Sequence, residues 1–196
     1  MRPVTAPTLP ERDDPLVARA ARGDRPALEE LFRRYKDPAY RVAYRLLGNT
    51  DDALDAVQDG FIKALTHLPG FEYRCSFKTW LLRVVSNAAL DVGRQRRRRD
   101  ELSAAVTERV ALDGGTTPDH ADPGREAEEA DLRRALAVAL TRLPDAQRRT
   151  FVLHVDGGLS YREVAEALGI SIGTVMSRLF YARQKLKGLL AARVPS

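Results

Sequence analysis

The side chains that most often carry enzyme chemistry are few in this sequence. His67, His120 and His154 are the only histidines and Cys75 the only cysteine, so no Cys/His zinc set and no nucleophile with a histidine base is offered. Asp52, Asp55 and Asp59 group three carboxylates. At helical spacing, with no histidine beside them, they fit a solvated or partner-binding face rather than a cation site. No catalytic residue, metal ligand, cofactor or small-molecule substrate is assigned. What recurs instead is cations among rings: Phe71, Tyr73, Phe77 and Trp80 are interleaved with Arg74, Lys78, Arg83 and Arg94. That mixture suits unpaired nucleic acid, because rings stack on bases while Lys and Arg neutralise phosphates. Helical spacing gives Phe77 and Trp80 to a core and leaves Phe71 and Tyr73, in the preceding loop, to face a ligand. The cations Arg94, Arg96, Arg97, Arg98 and Arg99 read either as a solvated helix end or as a phosphate-neutralising patch.

The 196 residues suffice for one ordinary domain or two small ones, and 44% hydrophobic content is enough for packed cores. A net charge of +5 hints weakly at an anionic partner, but the charge is unevenly placed. Between Asp100 and Asp131 ten acidic residues accompany two basic ones, Arg109 and Arg125, around Gly114-Gly115-Thr116-Thr117-Pro118; this is linker composition. No window approaches the roughly 18 apolar residues that span a bilayer, and the first residues lack the apolar core of a signal peptide. With a single cysteine, the expected setting is the reducing cytoplasm.

Hydrophobic periodicity supplies the elements. Residues 1–14, with three prolines, read as a disordered leader. From Pro26 one helical stripe runs through Leu28, Leu31, Phe32, Tyr35, Val42, Leu46 and Leu47, with Asp24 as its cap. A second helix spans Asp51 to about Leu68 and buries Leu54, Val57, Phe61 and Leu65. Ser76 caps a third, with Phe77, Trp80, Leu81, Val84, Val85 and Ala88 inward. A second block begins near Glu126 and buries Leu132, Leu136, Ala139, Leu140 and Leu143. Pro144 opens the next helix, and Gly157-Gly158 stops it. The expected architecture is all-α: two small helical domains, 15–99 and 128–196, joined by a flexible acidic linker over 100–127.

Ser160-Tyr161-Arg162-Glu163 has the spacing of a capping box. The short helix it starts ends at Gly169, and Ser171 caps a last helix to about Ala191. Helix, glycine turn, helix, with Val164, Ala165, Leu168, Ile170, Val175 and Leu179 buried, is the pattern of a helix-turn-helix. Its second helix would present Thr174, Met176, Ser177, Arg178, Phe180 and Tyr181, then Arg183 and Lys185, to a DNA major groove. A solvated amphipathic helix is the plainer reading; the two caps and the turn glycine together favour groove binding.

As a set, these residues resemble a bacterial RNA polymerase sigma factor of the extracytoplasmic-function (ECF) group, in the sigma-70 family. The resemblance rests on Asp55-Ala56-Val57-Gln58-Asp59-Gly60-Phe61, and on Phe77-Lys78-Thr79-Trp80-Leu81-Leu82-Arg83-Val84-Val85-Ser86-Asn87 with Asp91 and Arg94. Further along it rests on Leu143-Pro144, Ser160 to Ala165, Gly173-Thr174-Val175, Ser177-Arg178-Leu179 and Ala182-Arg183. It covers about residues 15–99 and 128–190.

What the resemblance implies is a transcription initiation factor without catalysis of its own. It would bind core RNA polymerase and promoter DNA and commonly be held by an anti-sigma factor. Asp52, Asp55, Gln58 and Asp59 would dock on the β′ clamp helices, and the C-terminal domain would contact the β flap. Phe71, Tyr73, Arg74, Ser76, Lys78, Arg83, Asn87 and Arg94 would capture the −10 element as a melted strand. His154, Arg162, Ser171, Thr174, Met176, Ser177, Arg178, Phe180, Tyr181 and Arg183 would read the −35 duplex. In the family the position of Met176 is usually Lys or Arg, and those of Tyr181 and His154 often Arg. Either the −35 sequence is unusual, with apolar contacts such as to thymine methyls, or the duplex contact is weaker. Gly60 and Gly93 stand where bulkier helix residues are common. The acidic linker would either occupy basic polymerase channels or serve as a plain tether. A duplex-operator regulator, a nucleic-acid enzyme and a structural module are the competing classes. The first lacks a sensor domain here, the second a catalytic constellation, and the third leaves both nucleic-acid surfaces without purpose.

Overall fold

A computed structural model describes residues 13–103 and 135–191. Residues 1–12 of the expected leader, 104–127 of the expected linker, and 128–134 with Leu132 and 192–196 of the expected second domain lie outside the described residues. The rest is helical, with no strand among the described residues: α1 (Asp14–Ala21), α2 (Arg25–Leu47), α3 (Thr50–His67), a 3₁₀ turn (Leu68–Gly70), α4 (Phe77–Ser103), α5 (135–141), α6 (Asp145–Val155), α7 (Tyr161–Leu168) and α8 (Ile172–Ala191).

The caps fall where side-chain chemistry places them. Asp24 accepts from Ala27 N and opens α2, which ends at Gly48 in the left-handed region. Asn49 then accepts from Asp52 N at 2.9 Å to start α3. The helix α1 has no counterpart in the periodicity reading, because its buried side is only Val17 and Ala20. Tertiary bonds hold its start: Asp13 accepts from Arg34 Nη1 at 2.8 Å and from the Tyr35 hydroxyl. Burial and that carboxylate push the Tyr35 phenol well above its ordinary range. The last turn of α4 runs on to Ser103, past the arginine run.

Two residues expected inside are outside. Leu54 and Phe32 are exposed by 53% and 46%. The reason is that α3 turns small residues inward: Ala53, Ala56, Gly60 and Ala64 join Val57 and Phe61 on the buried side, rotating Leu54 out. These small residues let α3 lie close on α4. A Cβ added to Gly60 would sit 2.7 Å from Val85 Cγ2 and 3.0 Å from its Cα, so the glycine that weakens helix propensity is what permits the approach.

The two halves share one core. Leu81, Leu82 and Val85 of α4 belong to the same buried cluster as Val152, Leu153, Leu159, Val164 and Ala165. A smaller cluster joins α5 to α8 through Ala139, Leu140, Leu143, Ala182 and Leu186. Gly60→Ala is expected to lower stability to urea by about 1–3 kcal/mol through overpacking, despite a helix-propensity gain of about 1 kcal/mol. Gly93→Ala, whose Cβ meets only the flexible tip of Leu47 at 3.3 Å, should be neutral or slightly stabilising.

Candidate nucleic-acid interface

The loop before α4 displays its aromatics unequally. Phe71 is half-buried, with its ring centroid 5.1 Å from that of Trp80 and 6.3 Å from that of Phe77, so it packs on the rings of α4 while part of its surface stays outward. Its outer neighbour is Tyr73, at 4.8 Å, whose ring is 46% exposed. Tyr73 is also the one non-glycine described with positive φ, at 56°. Such a conformation costs on the order of 1 kcal/mol and persists only when its surroundings impose it. Beside it Arg74 pairs with Glu72 at 2.6 Å in solvent. Ser76 caps α4 by accepting from Thr79 N at 3.1 Å. Along α4, Arg83, Asn87 and Arg94 are exposed and fall on one helical face, Arg94 3.6 Å from Asp91.

Onto this helix α6 and α7 are packed. The Arg149 guanidinium donates twice to Ser86 Oγ, at 3.1 and 3.0 Å, and once to Asn87 Oδ1 at 2.5 Å. Burial, aided by the charges of Arg83 and Arg94, lowers Arg149 to about 10, so it is still a cation at neutral pH. Lys78 Nζ donates to Gly158 O at 3.3 Å, and Thr79 Oγ1 to Glu163 at 3.4 Å. Behind them Arg45 bonds Asp156 at 3.1 Å, with 23% and 13% of the two side chains exposed. Burial raises the Asp156 carboxyl, offset in part by Arg45 and Arg41. Arg149 was not anticipated: in Asp145-Ala146-Gln147-Arg148-Arg149 nothing distinguishes it from a solvated cation.

The helix-turn-helix has the caps expected of it. Ser160 Oγ accepts from Glu163 N at 3.2 Å while Glu163 accepts from Ser160 N at 2.8 Å, and Gly169 closes α7 at φ 64°. Ser171 caps α8 at Thr174 N, 3.1 Å. Met176, Phe180, Tyr181, Ser177 and Arg183 are exposed, Thr174 and Arg178 partly so. Arg162 is exposed and paired with Glu166 at 3.1 Å. His154 is turned inward: its Nδ1 bonds Leu159 O at 2.7 Å and its ring meets the edge of Tyr161, which leaves only Nε2 for an outside group.

On α3, Asp55 and Gln58 are exposed. The other two carboxylates of that face are engaged, Asp52 by Arg96 at 2.8 Å and Asp59 by Lys63 at 2.7 Å. Leu54, Gln58 and Ile62 make an exposed stripe at i, i+4, i+8, with Phe32 of α2 also exposed. Among the described residues no three His, Cys, Asp or Glu side chains are grouped to hold a metal, and no helix is long and apolar enough to cross a membrane.

Two family matches divide along these surfaces: Sigma-70 region 2 over residues 31–99, and Sigma-70 region 4 over residues 133–186. The ECF RNA polymerase sigma factor SigW of Bacillus subtilis is 31% identical over 87% of this chain and 92% of its own length. The chain belongs to the ECF sigma factors of the sigma-70 family. SigE of Mycolicibacterium smegmatis is 37% identical over 85% of this chain and 62% of its own length. Among solved structures, CnrH in complex with the cytosolic domain of CnrY superposes with a TM-score of 0.72 at 29% identity, over 94% of this chain and all of that one. The Bartonella quintana sigma factor RpoE, in complex with the anti-sigma factor NepR, gives 0.65 at 28% identity over 85% and 98%. This sigma factor is thus a transcription initiation factor that recognises promoters.

In this sigma factor Cys75 reports on how region 4 sits over the loop. The thiol is half-buried, and burial together with Glu166 and Glu163 of α7 raises it above its ordinary range, partly offset by Arg83. Iodoacetamide at pH 7.5 should therefore alkylate it more slowly than a free cysteine. In Arg149→Ala/Asp156→Ala, which removes the two more buried polar ties of α6 to region 2 and leaves Arg97 to Asp145, the rate should rise severalfold; an unchanged rate would mean that the packing does not depend on those two ties.

Proposed function

We propose that residues 15–99 act as the core-polymerase and −10 module, residues 128–196 as the −35 module, and residues 100–127 as the tether between them. The observation that carries this reading is Tyr73. An exposed ring in an imposed left-handed backbone stands at the head of α4, whose outward side carries Arg83, Asn87 and Arg94. Unstacking a base costs a few kcal/mol, and stacking on an aromatic ring returns about 1–3 kcal/mol. Tyr73 takes the stacked base; Arg74, Lys78, Arg83 and Arg94 take phosphates, and Asn87 a base edge. In duplex binding, Arg162, Arg183 and the Nε2 of His154 meet phosphates. Ser171, Thr174, Met176, Ser177, Arg178, Phe180 and Tyr181 lie along the groove.

The polymerase-facing surface is the stripe Leu54, Gln58 and Ile62 with Asp55. An apolar centre with a polar rim is how stable interfaces are built. Asp52 and Asp59 stay at its border, tied to Arg96 and Lys63. Because Asn87 accepts from Arg149 in the packed arrangement, a promoter strand takes that bond only as α6 leaves α4. An anti-sigma factor is the expected regulator, since the structural relative RpoE is in complex with the anti-sigma factor NepR, and CnrH is likewise seen with a protein partner, the cytosolic domain of CnrY. The working compartment is the cytoplasm, where the polymerase is, and the protein acts there without a catalytic site of its own.

Run-off transcription with core polymerase on a randomised promoter library is the direct test; absence of core-dependent initiation would refute the reading. Two substitutions separate function from fold. Tyr73→Ala should impair promoter opening, read by permanganate reactivity of melted thymines, with stability within about 1 kcal/mol of the parent. Trp80→Ala, which empties the ring cluster beneath it, should cost about 3 kcal/mol in urea unfolding.

A further inference from the structure

At the start of α8 the hydroxyls are bonded among themselves and to the backbone. Ser171 Oγ accepts from Thr174 N at 3.1 Å and bonds Thr174 Oγ1 at 2.9 Å, and the Ser177 hydroxyl donates back to Thr174 O at 3.0 Å. From Ile172 to Phe180 the only cation is Arg178, and it is partly buried. Guanine is read in the major groove by Arg or Lys donating to O6 and N7, so this stretch is poorly supplied for guanine. What it offers is apolar surface: Met176 and Phe180 are each 55% exposed.

That surface is concave. Met176 and Phe180 of α8 and Tyr161 at the start of α7 line a cleft of about 450 Å³ together with Arg183, Gln184 and Lys187. No carboxylate occurs anywhere in α8, whereas Arg178, Arg183, Lys185 and Lys187 do, so the charge complement of the cleft is an anion. A lining of apolar side chains beside cations calls for an anionic polymer that carries apolar groups. On a DNA duplex the apolar group at the major-groove edge is the thymine C5 methyl. Arg183 Nη1 donates to the Tyr161 hydroxyl at 3.5 Å, so the cleft lies between the start of α7 and the middle of α8, with Met176 and Phe180 in the N-terminal half of α8 that a helix-turn-helix turns to base edges.

We propose that Met176 and Phe180 read thymine methyl groups, so that this sigma factor requires A·T pairs at adjacent positions of its upstream promoter element. Arg183 and Lys187 hold the flanking phosphates, and Gln184 is placed to bond an adenine edge. This rests on the assignment of α8 to duplex reading given above.

The test uses holoenzyme reconstituted from core polymerase and the full chain. The upstream element is selected from a library randomised there, and each selected thymine is then replaced by deoxyuridine, which deletes the methyl alone. The expected result is an element with adjacent A·T pairs, in which each critical deoxyuridine lowers open-complex formation about fourfold, as the loss of one buried methyl predicts. In Phe180→Ala and Met176→Ala the thymine and deoxyuridine templates should become equivalent at the matching position, with the −10 requirement unchanged.

A guanine-dominated element, or deoxyuridine templates within experimental error of thymine, overturns the methyl reading while leaving α8 a DNA reader. No enrichment upstream, with the −10 element still selected, overturns the duplex assignment itself and this inference with it. Loss of activity in Phe180→Ala with no response to deoxyuridine assigns the cleft to a protein partner instead and likewise defeats the proposal.

Discussion

The close approach of α3 to α4 at Gly60 is the constraint on which the rest of the structure depends. With Val85 Cγ2 only 2.7 Å from where a Cβ would lie, backbone meets side chain with no layer between. Three consequences follow from geometry alone. The inward side of α3 is small around Gly60, at Ala53, Ala56 and Ala64 beside Val57 and Phe61, and Leu54 and Ile62 are turned to solvent and become a surface. The buried side of α4 is taken up at Leu81 and Val85, which orients Arg83 and Asn87 outward. The adjoining positions, Leu82 and Ser86, are then left for a second layer, and α6 and α7 supply it. One tight contact thus assigns α4 three duties.

The layer that α6 and α7 add is held by two different physical means. Apolar residues on both sides merge into one core and give most of the attraction, roughly 25 cal/mol for each Å² of apolar surface removed from water. The polar ties, Arg149 to Ser86 and Asn87 and Arg45 to Asp156, contribute less net energy, since each buried charge loses hydration in forming them. They set register instead. A guanidinium that donates to two neighbouring side chains of one helix fixes where along it the other half rests.

Much of this was readable before any coordinates. The helical class followed from periodicity alone, and Asp24, Ser76, Ser160, Ser171 and Gly169 mark their helix ends because caps act over three or four residues that sequence displays directly. What escaped was decided by distant partners. Leu54 was misplaced because large apolar residues were weighted and the small ones beside them were not. The packing of Phe71 on Trp80 and Phe77 has no local signal, because a loop position conceals the rings beside it. Helix α1 had too few apolar residues to register, and its anchor, Asp13, works through residues about twenty positions away. Arg149 had no local signature at all, for its meaning lies in Ser86 and Asn87. Gly60 stands where bulkier helix residues are common, and only the neighbour it admits, Val85, gives it a reason.

The backbone of Tyr73 has a consequence for substitution. Glycine and, less readily, asparagine or aspartate adopt its left-handed conformation at low cost, whereas a large ring does not. A residue chosen for backbone ease would lack the ring, and a residue chosen for the ring strains the backbone. Resting on Phe71 and 46% exposed, the Tyr73 side chain is already placed before any partner arrives. The ordering of that residue is therefore charged to folding rather than to association. In a loop otherwise free to relax, this is pre-organisation at a single φ angle.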